Sequence, residues 1–133
     1  MVDYGMMNGP QVLALAEELI GGSKIEMENS NLESIMSLIM YGGEAKSNAF
    51  EAIQKAKNGL FEEAHEKLKA ADEALVLAHK SQTVMLTQEA QGEKIELSLL
   101  MVHAQDHLMT SLTFIDLAKE VVAVYERLNQ MVK

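Results

Sequence analysis

The 133-residue chain has a single proline, Pro10, and the lack of any other constrains the fold more than any residue present. Proline removes a backbone donor and interrupts helices, so everything beyond position 10 is free to be helical. After Asn31 the apolar residues recur in three long patterns of threes and fours, the spacing of one face of an α-helix. With 48% hydrophobic residues, 10 Met, no Trp and no Cys, the composition suits one all-α domain with a modest core.

The first pattern carries Leu32, Ile35, Ile39, Ala49, Ile53 and Ala56, passes through Gly42 and Gly43, and stops at "KNGLF". Asn58 and Gly59 suit a C-terminal cap there. A glycine inside a helix costs roughly 1 kcal/mol relative to alanine, so the Gly pair predicts close packing against a neighbour. The second pattern starts at about Phe61 and places Ala64, Leu68, Ala71, Leu75, Ala78, Gln82 and Met85 on one stripe. The third follows Gly92 in "QGEK" and is expected to run from about Ile95 to Met131.

On the third helix Leu97, Met101, Ala104, Leu108, Ile115, Val122 and Tyr125 form a stripe that a three-helix hairpin could bury. A second stripe of Leu99, Val102, Met109, Val124 and Leu128 lies on an adjacent face with no fourth helix to cover it. Homo-oligomerisation through this helix is the economical solution. Residues 1–30, with Gly5, Gly9, Pro10, Gly21 and Gly22 around "VLALAEELI", read as an N-terminal extension, mobile or carrying a short helix, ahead of the domain at 31–133.

The net charge of -9 argues against nucleic acid or an anionic membrane as the main partner, because both are bound through clustered Lys and Arg. No run reaches the roughly 18 apolar residues of a membrane span, and no basic n-region marks a signal peptide. These features predict a cytoplasmic protein without direct membrane insertion, and the lack of Cys excludes disulfides, thiol catalysis and thiolate metal sites.

"VHAQDHLMT", residues 102–110, sets His103, Asp106 and His107 within the third helix. At about 100° per residue the two histidines lie about 40° apart, while Asp106 falls about 20° from Leu99 and 40° from Val102. A carboxylate in an apolar seam must be paired, hydrogen-bonded or bound to a cation. If the seam lies on a symmetry axis, copies of Asp106 meet, and their repulsion calls for a metal ion or protons. His103 is either a structural histidine or, with Gln105, Asp106 and His107 nearby, a nucleophile that carries a group. Spacing of i and i+4 also suits a zinc pair, but Ala104 stands where the hydrolytic HExxH pattern has its Glu. A noncatalytic helical adaptor is the alternative from another class. His79 reads as a structural residue flanking the stripe of the second helix, and His65 as one on its charge-rich surface.

Residues 32 to 130 resemble the IIA component of the lactose, cellobiose and chitobiose class of the bacterial phosphoenolpyruvate-dependent sugar phosphotransferase system. The segments that carry the likeness are "GGEAKSNAFEAIQKAKNGLFEEA" and "AHKSQTVMLTQEAQGEKIELSLLMVHAQDHLMT", in that order and spacing. The resemblance implies an antiparallel three-helix bundle that forms a homotrimer through its third helices. It also implies phosphorylation of His103 by the carrier HPr and transfer to a cysteine of the IIB component during sugar uptake. Asp106 matches the family's metal position, where a divalent ion, expected to be Mg2+, sits near the threefold axis. Gln105 and His107 match neighbours that shape the phosphohistidine site.

Overall fold

The computed structural model describes Gln11 and residues 29–132. Three antiparallel helices make up the bundle: α1 (Asn29–Lys57), α2 (Phe61–Ala90) and α3 (Leu99–Met131). The expected arm at residues 1–30 falls outside the described residues except for Gln11, Asn29 and Ser30, and the last two already belong to α1.

Both turns are built by glycine. Gly59 has φ +77°, and the amides of Gly59 and Leu60 close α1 on the carbonyls of Ala56 and Lys55 at 3.0 and 2.9 Å. Gly92, at φ +90°, repeats the pattern at the end of α2, with Gly92 and Glu93 donating to Glu89 and Gln88 at 3.0 and 3.1 Å. A left-handed residue followed by these two back-bonds satisfies carbonyls that the helix would otherwise leave open, and glycine adopts that conformation without a steric cost. The chain therefore reverses within a few residues, which makes successive helices antiparallel neighbours.

The third helix starts later than its apolar pattern predicts. Ser98 is extended, with φ -132° and ψ 162°, and its hydroxyl accepts from the Met101 amide at 3.1 Å. That cap satisfies an orphan N–H of the first turn and fixes the start at Leu99. Leu97 consequently lies outside the helix and is 81% exposed rather than part of the buried stripe. From Met101 onward the stripe holds: Met101, Ala104, Leu108, Ile115 and Val122 are buried and Tyr125 is half-buried.

Two core clusters follow one another along the bundle. Towards the α1–α2 turn the contact is made largely of alanine, with Ala45, Ala49, Ala52 and Ala56 of α1 against Ala64, Ala71 and Ala74 of α2, closed by Ile115, Ala118 and Val122 of α3. At the opposite end larger side chains fill the core, among them Ile35, Leu38, Ile39, Met85, Met101 and Leu108. Alanines three and four apart let helix backbones approach closely with little side-chain entropy lost. α1 packs on both other helices, whereas α2 and α3 meet along a narrower contact.

Candidate functional site

The bulkier end of the core positions the polar segment of α3. Gly42 is buried, and a Cβ built on it would lie 3.5 Å from the carbonyl carbon and oxygen of His107. α1 and α3 thus cross with backbone against side-chain-free backbone at His107. One turn further on, Ser111 Oγ donates to the Gly42 carbonyl at 2.8 Å, both groups being buried. At Gly42 these contacts are the close packing that a glycine inside the helix predicts, and they hold the turn of α3 that bears the histidines.

His103 is exposed, and among the described residues no hydrogen bond ties its ring. Its contact is with His107, ring centroids 4.5 Å apart and planes at 82°. His107 is half-buried. Its pKa is lowered first by desolvation, then by the positive charges that His103 and Lys46 carry when protonated, with Asp106 pulling the other way. A neutral, half-buried imidazole thus flanks an accessible one. The accessible ring keeps a nitrogen free to act as a nucleophile, whereas a structural histidine normally has its nitrogens bonded.

Asp106 is exposed about 60° round α3 from His103, within the seam. The seam itself is open in a single chain: Leu99, Val102, Met109, Leu117, Val124 and Leu128 are between 50% and 86% exposed. Among the described residues no hydrogen bond or ion pair engages the Asp106 carboxylate, and no three His, Asp or Glu side chains converge as a metal site within one chain.

Gln105 stands apart from His103. Two residues on a helix differ by about 200°, so Gln105 lies on the far flank of α3, facing α2. There its Oε1 accepts from Gln82 Nε2 at 2.7 Å, while its own Nε2 lies 3.9 Å from Met101 Sδ. The only trace of this pair in the sequence is Gln82 itself, a polar residue in an otherwise apolar stripe. His65 pairs with Glu126 at 2.7 Å, and His79 is exposed with its carbonyl accepting from Thr83; among the described residues no contact joins either to His103.

The fold is that of known phosphotransferase-system IIA bundles. The crystal structure of the cellobiose-specific enzyme IIA from Bacillus anthracis superposes with a TM-score of 0.76 at 42% identity, covering 79% of this chain and 96% of that one. Residues 33–126 match the family model of the lactose/cellobiose-specific IIA subunit of the PTS system, and the chain belongs to that family. The galactose-specific EIIA component of Lactococcus lactis subsp. cremoris is 56% identical over 97 residues, 73% of this chain and 84% of that protein. The lichenan-specific IIA component of Bacillus subtilis is 48% identical over 103 residues, 77% of this chain and 94% of that protein. The protein is therefore a IIA phosphotransferase component of the lactose/cellobiose class.

Proposed function

We propose that His103 is the residue that carries the phosphoryl group, accepting it from the histidine of HPr and passing it to a cysteine of the cognate IIB component during sugar uptake. The observation that supports this most is the exposed ring of His103, free of hydrogen bonds among the described residues and set edge-on against His107. The neutral imidazole nitrogen attacks phosphorus; the N–P bond of the donor breaks as the new one forms. Such an exchange between two nitrogens needs positioning and an accessible nucleophile more than acid–base chemistry. Membership of the family supports HPr as the donor and a IIB component as the acceptor.

The exposed seam of α3 supports assembly as a homotrimer about that helix, because a contiguous apolar stripe of this length is seldom left in water. In a trimer three copies of Asp106 would meet near the axis. One carboxylate is too few to hold an ion, but three form an oxygen donor set that suits a hard divalent cation such as Mg2+. The ion would neutralise their repulsion and so fix the register of the seam. Among the described residues no helix is long and apolar enough to cross a membrane, which fits action in the cytoplasm beside a membrane-bound partner.

Incubation with phosphoenolpyruvate, the first enzyme of the system and HPr is expected to place acid-labile phosphate on His103. An unlabelled wild type, or equal labelling of His103→Gln, overturns the assignment. Normal partner binding by His103→Ala without any labelling of the wild type would favour an adaptor.

A further inference from the structure

We infer that Lys46 is the charge partner of the phosphorylated state: from α1 its ammonium supplies the positive field that holds a phosphoryl group on His103, which makes it a positioning residue for transfer. The inference rests on the carrier role proposed above. Transfer breaks the N–P bond of the donor histidine as that of His103 forms, while an imidazole proton passes the other way. The carrier therefore gains about two negative charges at one ring. It gains them on a chain of net charge -9, within one turn of the exposed Asp106 carboxylate. A cation close by offsets that repulsion.

Three lysines of the bundle are neutralised by carboxylates: Lys55 by Glu63 at 3.2 Å, Lys67 by Glu51 at 2.6 Å and Lys119 by Asp72 at 2.9 Å. Lys46 is different. It is half-buried, among the described residues no carboxylate pairs with it, and its Nζ lies 6.0 Å from the centroid of the Phe114 ring. An aromatic face attracts a cation without using its N–H donors, so the ammonium stays available to an anion. Lys46 follows Gly42 by one turn of α1, on the face that meets α3 where the Gly42 backbone lies against His107. Its Cα–Cβ bond tilts towards the N-terminus of α1, back to that crossing, and its flexible four-carbon stem lets the ammonium leave Phe114 for the histidines. The Lys46 charge already reaches His107; among the described residues no other Lys or Arg does.

The test uses the full chain at equilibrium with phospho-HPr. Lys46→Met keeps the stem and removes the charge, and is expected to lower the ratio of phosphorylated to free protein about tenfold, equivalent to about 1.4 kcal/mol. Lys46→Glu should lower it further, whereas Lys46→Arg should keep the wild-type ratio. Lys55→Met makes the same change of net charge near the α1–α2 turn and should leave the ratio unchanged. Salt screens a field between groups open to solvent, so the gap between wild type and Lys46→Met should narrow as ionic strength rises. Equal ratios in wild type and Lys46→Met, the same loss in Lys55→Met or Lys46→Arg as in Lys46→Met, or a gap that salt leaves unchanged overturns the inference and leaves the carrier role intact. An unlabelled wild type overturns the carrier role itself, and this inference with it.

Discussion

Ser111 hydrogen-bonds the backbone of Gly42, side-chain oxygen to carbonyl at 2.8 Å, across the crossing of α1 and α3. It is a fully buried polar side chain in a core otherwise made of apolar ones. Ser111→Ala removes one buried hydrogen bond and should lower unfolding stability by about 1 kcal/mol. Ser111→Val adds bulk against Gly42 and should cost more, in the range of about 1–3 kcal/mol for overpacking. Ser81, whose hydroxyl makes a similar 3.4 Å bond to the Leu77 carbonyl on the exposed side of α2, is the control. Denaturant titrations of the three variants check the order, and equal losses at Ser81 and Ser111 would contradict it.

Gly59 and Gly92 close the two turns with left-handed backbone. Nothing lies within 4 Å of a Cβ built on either, so alanine there is penalised by conformation alone. Each Gly→Ala change is expected to cost about 1–2 kcal/mol, roughly additively because the turns lie at opposite ends of the bundle. Thermal melts of the single and double variants measure this; a neutral effect at either position would show that the turn relaxes to another form.

Both turns were legible from the sequence because glycine after a periodic apolar run has one common use at a helix end. The buried stripes were legible for a similar reason, since alanine and leucine at threes and fours state which face is inward. The onset of α3 was not: Ile95 and Leu97 continue the apolar spacing backwards, and the Ser98 hydroxyl that ends it makes its bond only once the chain has turned. The Gln82–Gln105 pair was also hidden, since it depends on the relative rotation of two helices 23 positions apart in sequence. Periodicity tells which face a residue is on and says nothing of what stands opposite.

His107 gives the folded protein a defined pH response. Burial and nearby positive charge lower its pKa from the ordinary 6.5, so the folded state binds a proton less readily than the unfolded chain. Above 6.5 both states are neutral at this position and it contributes no pH dependence. As pH falls below 6.5 the unfolded chain takes up the proton first, and stability declines until the lowered folded value is reached. His107→Gln should abolish that part of the decline. Melting temperatures between pH 5 and 8 for the two proteins provide the check, and parallel curves would rule out the contribution.

Asp106 makes separable predictions for assembly and ion binding. Asp106→Leu should abolish binding of Mg2+ while extending the apolar seam, so that trimers persist or gain stability. Asp106→Asn keeps the size but loses the charge and should bind the ion much more weakly. Calorimetric titration with Mg2+ and sedimentation of each variant test the pair. Full ion affinity in Asp106→Asn would remove Asp106 as the principal ligand.

α3 contains neither glycine nor proline over its 33 residues, so for about 50 Å it is one unbroken rod. A rod without a joint cannot swing its cargo from one station to another. With His103 as the carrier proposed above, donor and acceptor would have to visit the same spot on the protein in turn, as competitors for a single berth. An excess of either partner would then be expected to slow exchange with the other.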